Sequence, residues 1–122
     1  MFKRNWHKFN AVKTEIDWIK FDSKLEARFY KYFKDNNIEI LELQPIFILQ
    51  DKFRYNWDAI RSIKYIPDFK IEYNWYIFYV DSKWMSDAVF KIKHKLWLKK
   101  YWDDNILIIA KSIKELLGII NL

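Results

Sequence analysis

The stretch IPDFKIEYNWYIFYVDSKW, residues 66–84, decides how the chain reads. Two β-branched and aromatic runs flank Asn74-Trp75, so residues 65–73 and 76–82 are predicted strands of one hairpin. With Asn74 and Trp75 in the turn, Tyr73 faces Tyr76 and the pairing carries back to Asp68 opposite Asp81. Opposed residues in an antiparallel pair point to one face, about 5 Å apart at Cβ. Lys83 lies two residues beyond Asp81 and projects to the same face while the strand persists. Two carboxylates thus oppose each other beside an ammonium. At an effective dielectric of about 20, such charges roughly 4 Å apart repel by about 4 kcal/mol. A divalent cation removes that repulsion and gains ligands. The plainer reading is an exposed hairpin in which Lys83 neutralises Asp81, and these residues alone leave the two readings even.

On the N-terminal side, a helix is predicted from Ser23 to Asp35, with Leu25, Phe29, Tyr32 and Phe33 at helical spacing. Residues 38–50 read as extended, broken at Pro45, and 51–64 read as a loop or irregular excursion. On the C-terminal side follow a helix over 87–101 and a buried strand over 106–110. A short helix capped by Ser112 comes last, ending at Gly118. Helix, strands, helix, strand, helix is the order of an α/β domain with a central sheet.

Bulk properties narrow the chemistry. The 122 residues suit one domain, and 52% hydrophobic content supports a core without disulfides. Absence of cysteine excludes a disulfide framework and a cysteine zinc site. Only His7 and His94 offer imidazole, so a bound metal is held mainly by carboxylates, which favours Mg²⁺, with Mn²⁺ as substitute. No run approaches the roughly 20 apolar residues of a membrane span. The N-terminal MFKRNWHKFN lacks the apolar core of a secretory signal, so a cytoplasmic location is expected, the host's if the source is viral. Residues 1–10 read as a basic flexible arm carrying Lys3, Arg4, His7 and Lys8. The net charge of +6 suits a polyanionic partner, or merely solubility.

Pro67-Asp68, twelve intervening residues, then Asp81-Ser82-Lys83 resembles the PD-(D/E)xK nuclease signature. KTEIDWIKFDSKLEARFY (13–30), ILELQPIF (40–47) and VDSKW with VFKIKHKLWLKKY (80–101) resemble a family of small phage proteins assigned to that superfamily. Its members include Holliday junction resolvases and restriction-type endonucleases. The resemblance implies a restriction-endonuclease-like αβββαβ core, a central mixed sheet flanked by helices. It implies Asp68 and Asp81 as metal ligands, and Lys83 as the group that orients the attacking water and stabilises phosphate charge. Glu26 is implied as the acidic residue completing the metal site, and Gln44 as a secondary site candidate. Position 81 is Asp where the related sequences more often carry Glu, and Trp84 stands where glycine is common.

Some of these residues have a second reading. Ser23-Lys24-Leu25-Glu26 is also a capping box, compatible with a metal role if Asp22 is the true cap. Lys91, Lys95 and Lys99 share one helix face, with Lys93 beside them, while Val89, Ile92 and Leu96 form an apolar stripe on another side. The lysines suit phosphate contacts or a solvated face. Trp97 and Tyr101 are expected to pack together, and His94 is too isolated to be a metal ligand. These features lead to the expectation of a Mg²⁺-dependent DNA endonuclease acting on branched DNA, such as a four-way junction, as a C2 homodimer. The rivals are a packaging or restriction-type endonuclease, a non-catalytic nucleic-acid-binding protein of the same fold, and a structural phage protein.

Overall fold

The structure, a computed structural model, describes residues 14–121, so the basic arm expected over 1–10 lies outside it. Thr14–Ile16 (β1) and Ile19–Phe21 (β2) form a short hairpin ahead of Lys24–Asp35 (α1). Ser23 caps α1, its hydroxyl accepting from the Glu26 N–H at 3.1 Å. Glu39–Leu43 (β3), Phe69–Tyr73 (β8), Tyr76–Ser82 (β9) and Leu107–Ala110 (β10) make a mixed four-stranded sheet in the order β10-β9-β8-β3. Only β10 runs parallel to its neighbour β9. Phe47–Gln50 (β4) pairs with Ile63–Tyr65 (β7), and Phe53–Tyr55 (β5) with Asp58–Ile60 (β6). Ala88–Tyr101 (α2) and Ile113–Ile120 (α3) complete the fold, which is mixed α/β.

A hydrophobic core packs on each face of the sheet. Val80 and Ile108, with Phe69 and Ile71, are buried against Leu25, Phe29 and Phe33 of α1 and Leu116 of α3. Their neighbours Tyr79 and Leu107 point the opposite way and pack on Phe47, Leu49, Tyr65 and Trp97. Phe47 meets Trp97 edge-on, with ring centroids 5.6 Å apart. Trp97 and Tyr101 pack at 6.3 Å, as their spacing predicts.

The extended stretch over 38–50 is broken at Pro45, as expected, but its two strands lie in different sheets, and the strand expected over 65–73 is likewise divided. Both chains part at a proline. Gln44 turns through φ 52° before the buried Pro45, and the fully buried Pro67 separates β7 from β8. Proline has no N–H to continue a ladder, so each break falls where pairing must change partners. Residues 51–64 are an ordered ribbon rather than an irregular loop, because β5 pairs with β6 and β7 with β4. α3 runs through Gly118 to Ile120 and is capped by Asn121, so Gly118 is not its stop. The stripe of Val89, Ile92 and Leu96 is exposed, because α2 turns Phe90 and Trp97 inward instead.

The hairpin tips carry tryptophan where the turn geometry favours glycine. Asn74 and Trp75 have φ of 55° and 75°, and Trp75 is 93% exposed. Asp17 and Trp18 repeat the pattern at φ 53° and 68°. A bulky L-residue in this region costs roughly 1–2 kcal/mol, more than the conformational freedom glycine brings to the unfolded chain. Trp75→Gly is therefore expected to stabilise the fold by about 0.5–1 kcal/mol, raising the midpoint of thermal unfolding followed by circular dichroism. A lowered midpoint would show that the indole makes a compensating contact.

Candidate active site

Asp68 sits at the fork where the two sheets part. The β8–β9 ladder runs from Tyr73 opposite Tyr76 to Phe69 opposite Val80, the register read from the turn. Just beyond it, the Asp68 N–H donates to the Val80 carbonyl at 3.1 Å, and the Asp68 carbonyl accepts from the Gln44 N–H at 2.8 Å. Asp68 is thereby clamped between β9 and the end of β3. Asp81 is buried next to Val80 and, by strand alternation, points away from the α1 core toward α2 and β7. The two aspartates line the same cavity there, close enough for the Asp81 charge to bear on Asp68.

Each carboxylate has one oxygen tied down. Asp68 Oδ2 accepts from the Ser82 N–H at 2.8 Å and the Ser82 hydroxyl at 2.6 Å. Asp81 Oδ2 accepts from the Tyr65 hydroxyl at 2.5 Å. Burial pushes the Tyr65 hydroxyl far above its ordinary range, and the Asp81 charge adds to the shift, so Tyr65 stays a donor. Burial and the neighbouring Asp81 and Glu26 charges push the Asp68 carboxyl well above the usual carboxylate range. Burial raises Asp81 as well, against the opposing pull of Tyr65, Lys83, Asp68 and His94. Glu26, buried in the first turn of α1, is pushed up to about 7 by burial and by the Asp22 and Asp81 charges.

Lys83 follows β9. Its N–H donates to the Ala110 carbonyl at 2.9 Å, extending the β9–β10 pairing, and its ammonium lies 4.5 Å from the Phe90 ring centroid. Glu26, Asp68, Asp81 and Lys83 all line one open cavity of about 870 Å³, and so does Lys93. The other predicted residues lie elsewhere. Gln44 contributes its backbone to the fork, but its side chain is exposed outside the cavity, and Lys91, Lys95 and Lys99 are on the solvent side of α2. Ser23, not Asp22, is the cap of α1, and Glu26 Oε1 accepts from the Asp22 N–H at 3.3 Å. Glu26 is thus both part of the helix start and a wall of the acidic site. Tyr65, Ser82 and His94 were not expected at the site. Tyr65 falls within the strand expected over 65–73, and no local spacing reports that it belongs to a different sheet. His94 stacks on Phe90 at 5.7 Å, close enough for its charge to bear on Asp81.

Among the described residues, no three His, Cys, Asp or Glu side chains form a ready-made metal cage. The donor set still fits a hard divalent cation. Mg²⁺ is commonly held by one or two carboxylates, with waters and substrate phosphates filling the rest of its shell. Asp68 and Asp81 supply that pair, and their crowded negative charge favours either a shared proton or a cation.

Residues 6–116 match the family described as "Protein of unknown function (DUF1064)". No curated protein and no solved structure matches the chain.

The raised carboxyls make a stability prediction. The folded state holds the Glu26 proton up to about pH 7, whereas the unfolded chain releases it near its ordinary 4.5. Without metal, folding stability should therefore fall as pH rises through that window. Asp68→Asn keeps the acceptor for Ser82 and provides an N–H for Asp81. It is expected to stabilise the metal-free protein at pH 8 by on the order of 1–2 kcal/mol and to flatten the pH dependence of thermal unfolding.

Proposed function

The chain belongs to the DUF1064 family of proteins of unknown function, and we propose that it is a metal-dependent DNA endonuclease with a restriction-endonuclease-like core. The observation that carries this reading is the Asp68–Asp81 pair, set together with Lys83 on the wall of one open cavity. Strongly raised carboxyls in a cleft are a physical signature of functional sites. The sequence of elements α1, β3, β8, β9, α2, β10 supports the αβββαβ reading.

Asp68 and Asp81 would hold Mg²⁺ or Mn²⁺, with Glu26 at its edge. A divalent ion so held supplies a water of lowered pKa and polarises the phosphate. The protein's own groups prepare the rest. Ser82 and Tyr65 fix the two carboxylates by one oxygen each, so neither must reorient when substrate arrives. The Lys83 ammonium, on the Asp81 side of the cavity, offsets charge that develops on the phosphate. The substrate class is DNA, with branched four-way junctions preferred and a C2 homodimer making two symmetric cuts.

Cleavage of a labelled four-way junction and of a linear duplex with the same arms tests the reading. We expect cutting in Mg²⁺ or Mn²⁺. Asp68→Asn and Lys83→Ala should each lower the rate by on the order of 10²–10³-fold. Wild-type rates in both variants would remove the catalytic assignment. Equal rates on junction and duplex would remove only the junction preference. Tyr65→Phe should weaken Mn²⁺ affinity, read by calorimetry, by about 10-fold or more, because Asp81 loses its fixed partner.

A further inference from the structure

Between β4 and β7 the chain leaves the body of the protein. β5 and β6 pair with each other and pack on no other element among the described residues. A lone two-stranded hairpin is marginally stable in water. Phe53 and Tyr55 on this hairpin are exposed. An exposed hairpin of this kind is open to a partner lying against it.

The base of the arm identifies the chemistry of that partner. Lys52, Arg61 and Lys64 all line the cavity that contains Asp68 and Asp81. All three are exposed, and no carboxylate among the described residues forms a salt bridge with any of them. Three cations without an ion-pair partner among the described residues therefore share one cavity with the acidic pair. A polyanion that meets all three must reach along an open cavity of about 870 Å³. A strand with regularly spaced phosphates can do so while one phosphate sits at the aspartate pair. Of the α2 lysines singled out by their spacing, only Lys93 reaches this cavity.

We propose that residues 51–62, with Lys64 of β7 at their base, are a nucleic-acid clamp, in which Lys52, Arg61 and Lys64 bind the phosphates that flank the one at Asp68 and Asp81. This rests on the nuclease reading for the identity of the strand. The contacts are to the backbone, so the arm positions the strand without selecting its sequence. The clamp, rather than the row formed by Lys91, Lys95 and Lys99, is the main source of affinity.

Binding can be measured apart from cleavage on the full chain carrying Asp68→Asn, with a labelled four-way junction and a duplex across a salt series. Adding Lys52→Ala, Arg61→Ala and Lys64→Ala together is expected to weaken binding on the order of 10²-fold near physiological salt. It should also reduce the slope of log affinity against log salt by about 3. The unfolding midpoint should not change, because all three side chains are exposed. Lys91→Ala, Lys95→Ala and Lys99→Ala together should change affinity by less than about 3-fold. If the arm variant keeps full affinity and slope while the wild-type chain cuts DNA, the clamp is wrong and the nuclease reading stands. If the wild-type chain neither binds nor cuts DNA, both fail. If sedimentation shows that the arm mutations abolish self-association and leave DNA affinity intact, the arm is a contact between copies and the clamp is overturned.

Discussion

Asp68 and Asp81 are held in contact where their charges repel, and the surrounding structure is what holds them there. Asp68 is fixed by backbone bonds to β9 and to Gln44, and Asp81 by its place in the central sheet. Neither can swing away without breaking a ladder. The pair must take a proton or a cation, and Glu26 adds a third carboxyl to the same demand. A fold selected for stability alone would fill this position with apolar side chains, since buried charge gains little net stability even when paired. Keeping carboxyls here despite that cost is the pattern expected of a binding site, the local cost being offset by the packed cores on either side of the sheet.

The fork at the two prolines makes this arrangement possible. While β3 and β8 remain paired, their side chains are committed to the α1 core or to the opposite face. Once Pro45 and Pro67 release them, β4 and β7 pair separately and bring Tyr65 over the end of β9. The same departure leaves a gap at the sheet's end, which becomes the cavity. α2 closes one side of it, with Trp97 anchoring the helix against Phe47 while Phe90, His94 and Lys83 meet near its start. Site and second core therefore arise from one topological event. The cations on the departing ribbon follow from it too, since they ride on the strands that leave.

The chain has seven tryptophans and one glycine. Trp97 behaves as an ordinary core residue, whereas Trp18, Trp57 and Trp75 stand almost fully exposed at hairpin tips. Asn56, which precedes Trp57, is also at positive φ, so all three tips use backbone that glycine occupies at least cost. The hairpins form because the flanking strands pair and their Asn or Asp residues accept the left-handed conformation, not because tryptophan favours the turn.

What the residues determined by themselves was local and periodic. The two long helices and the β8–β9 register could be read from spacing, because helix and strand periods are properties of neighbouring residues. The Asp68–Asp81–Lys83 constellation followed from that register, being a hairpin feature closed by a tight turn. Tertiary structure alone decided which face of α2 is buried, since Phe90 and Trp97 compete with Val89, Ile92 and Leu96 and only the partners Phe47 and Tyr65 choose between them. It alone placed Glu26 near aspartates some 40 to 55 positions away in the chain. It also put the Tyr65 hydroxyl on Asp81 and turned residues 51–64 from an expected loop into an ordered arm. Those contacts join segments distant along the chain, and no local period encodes the point at which a strand changes sheets.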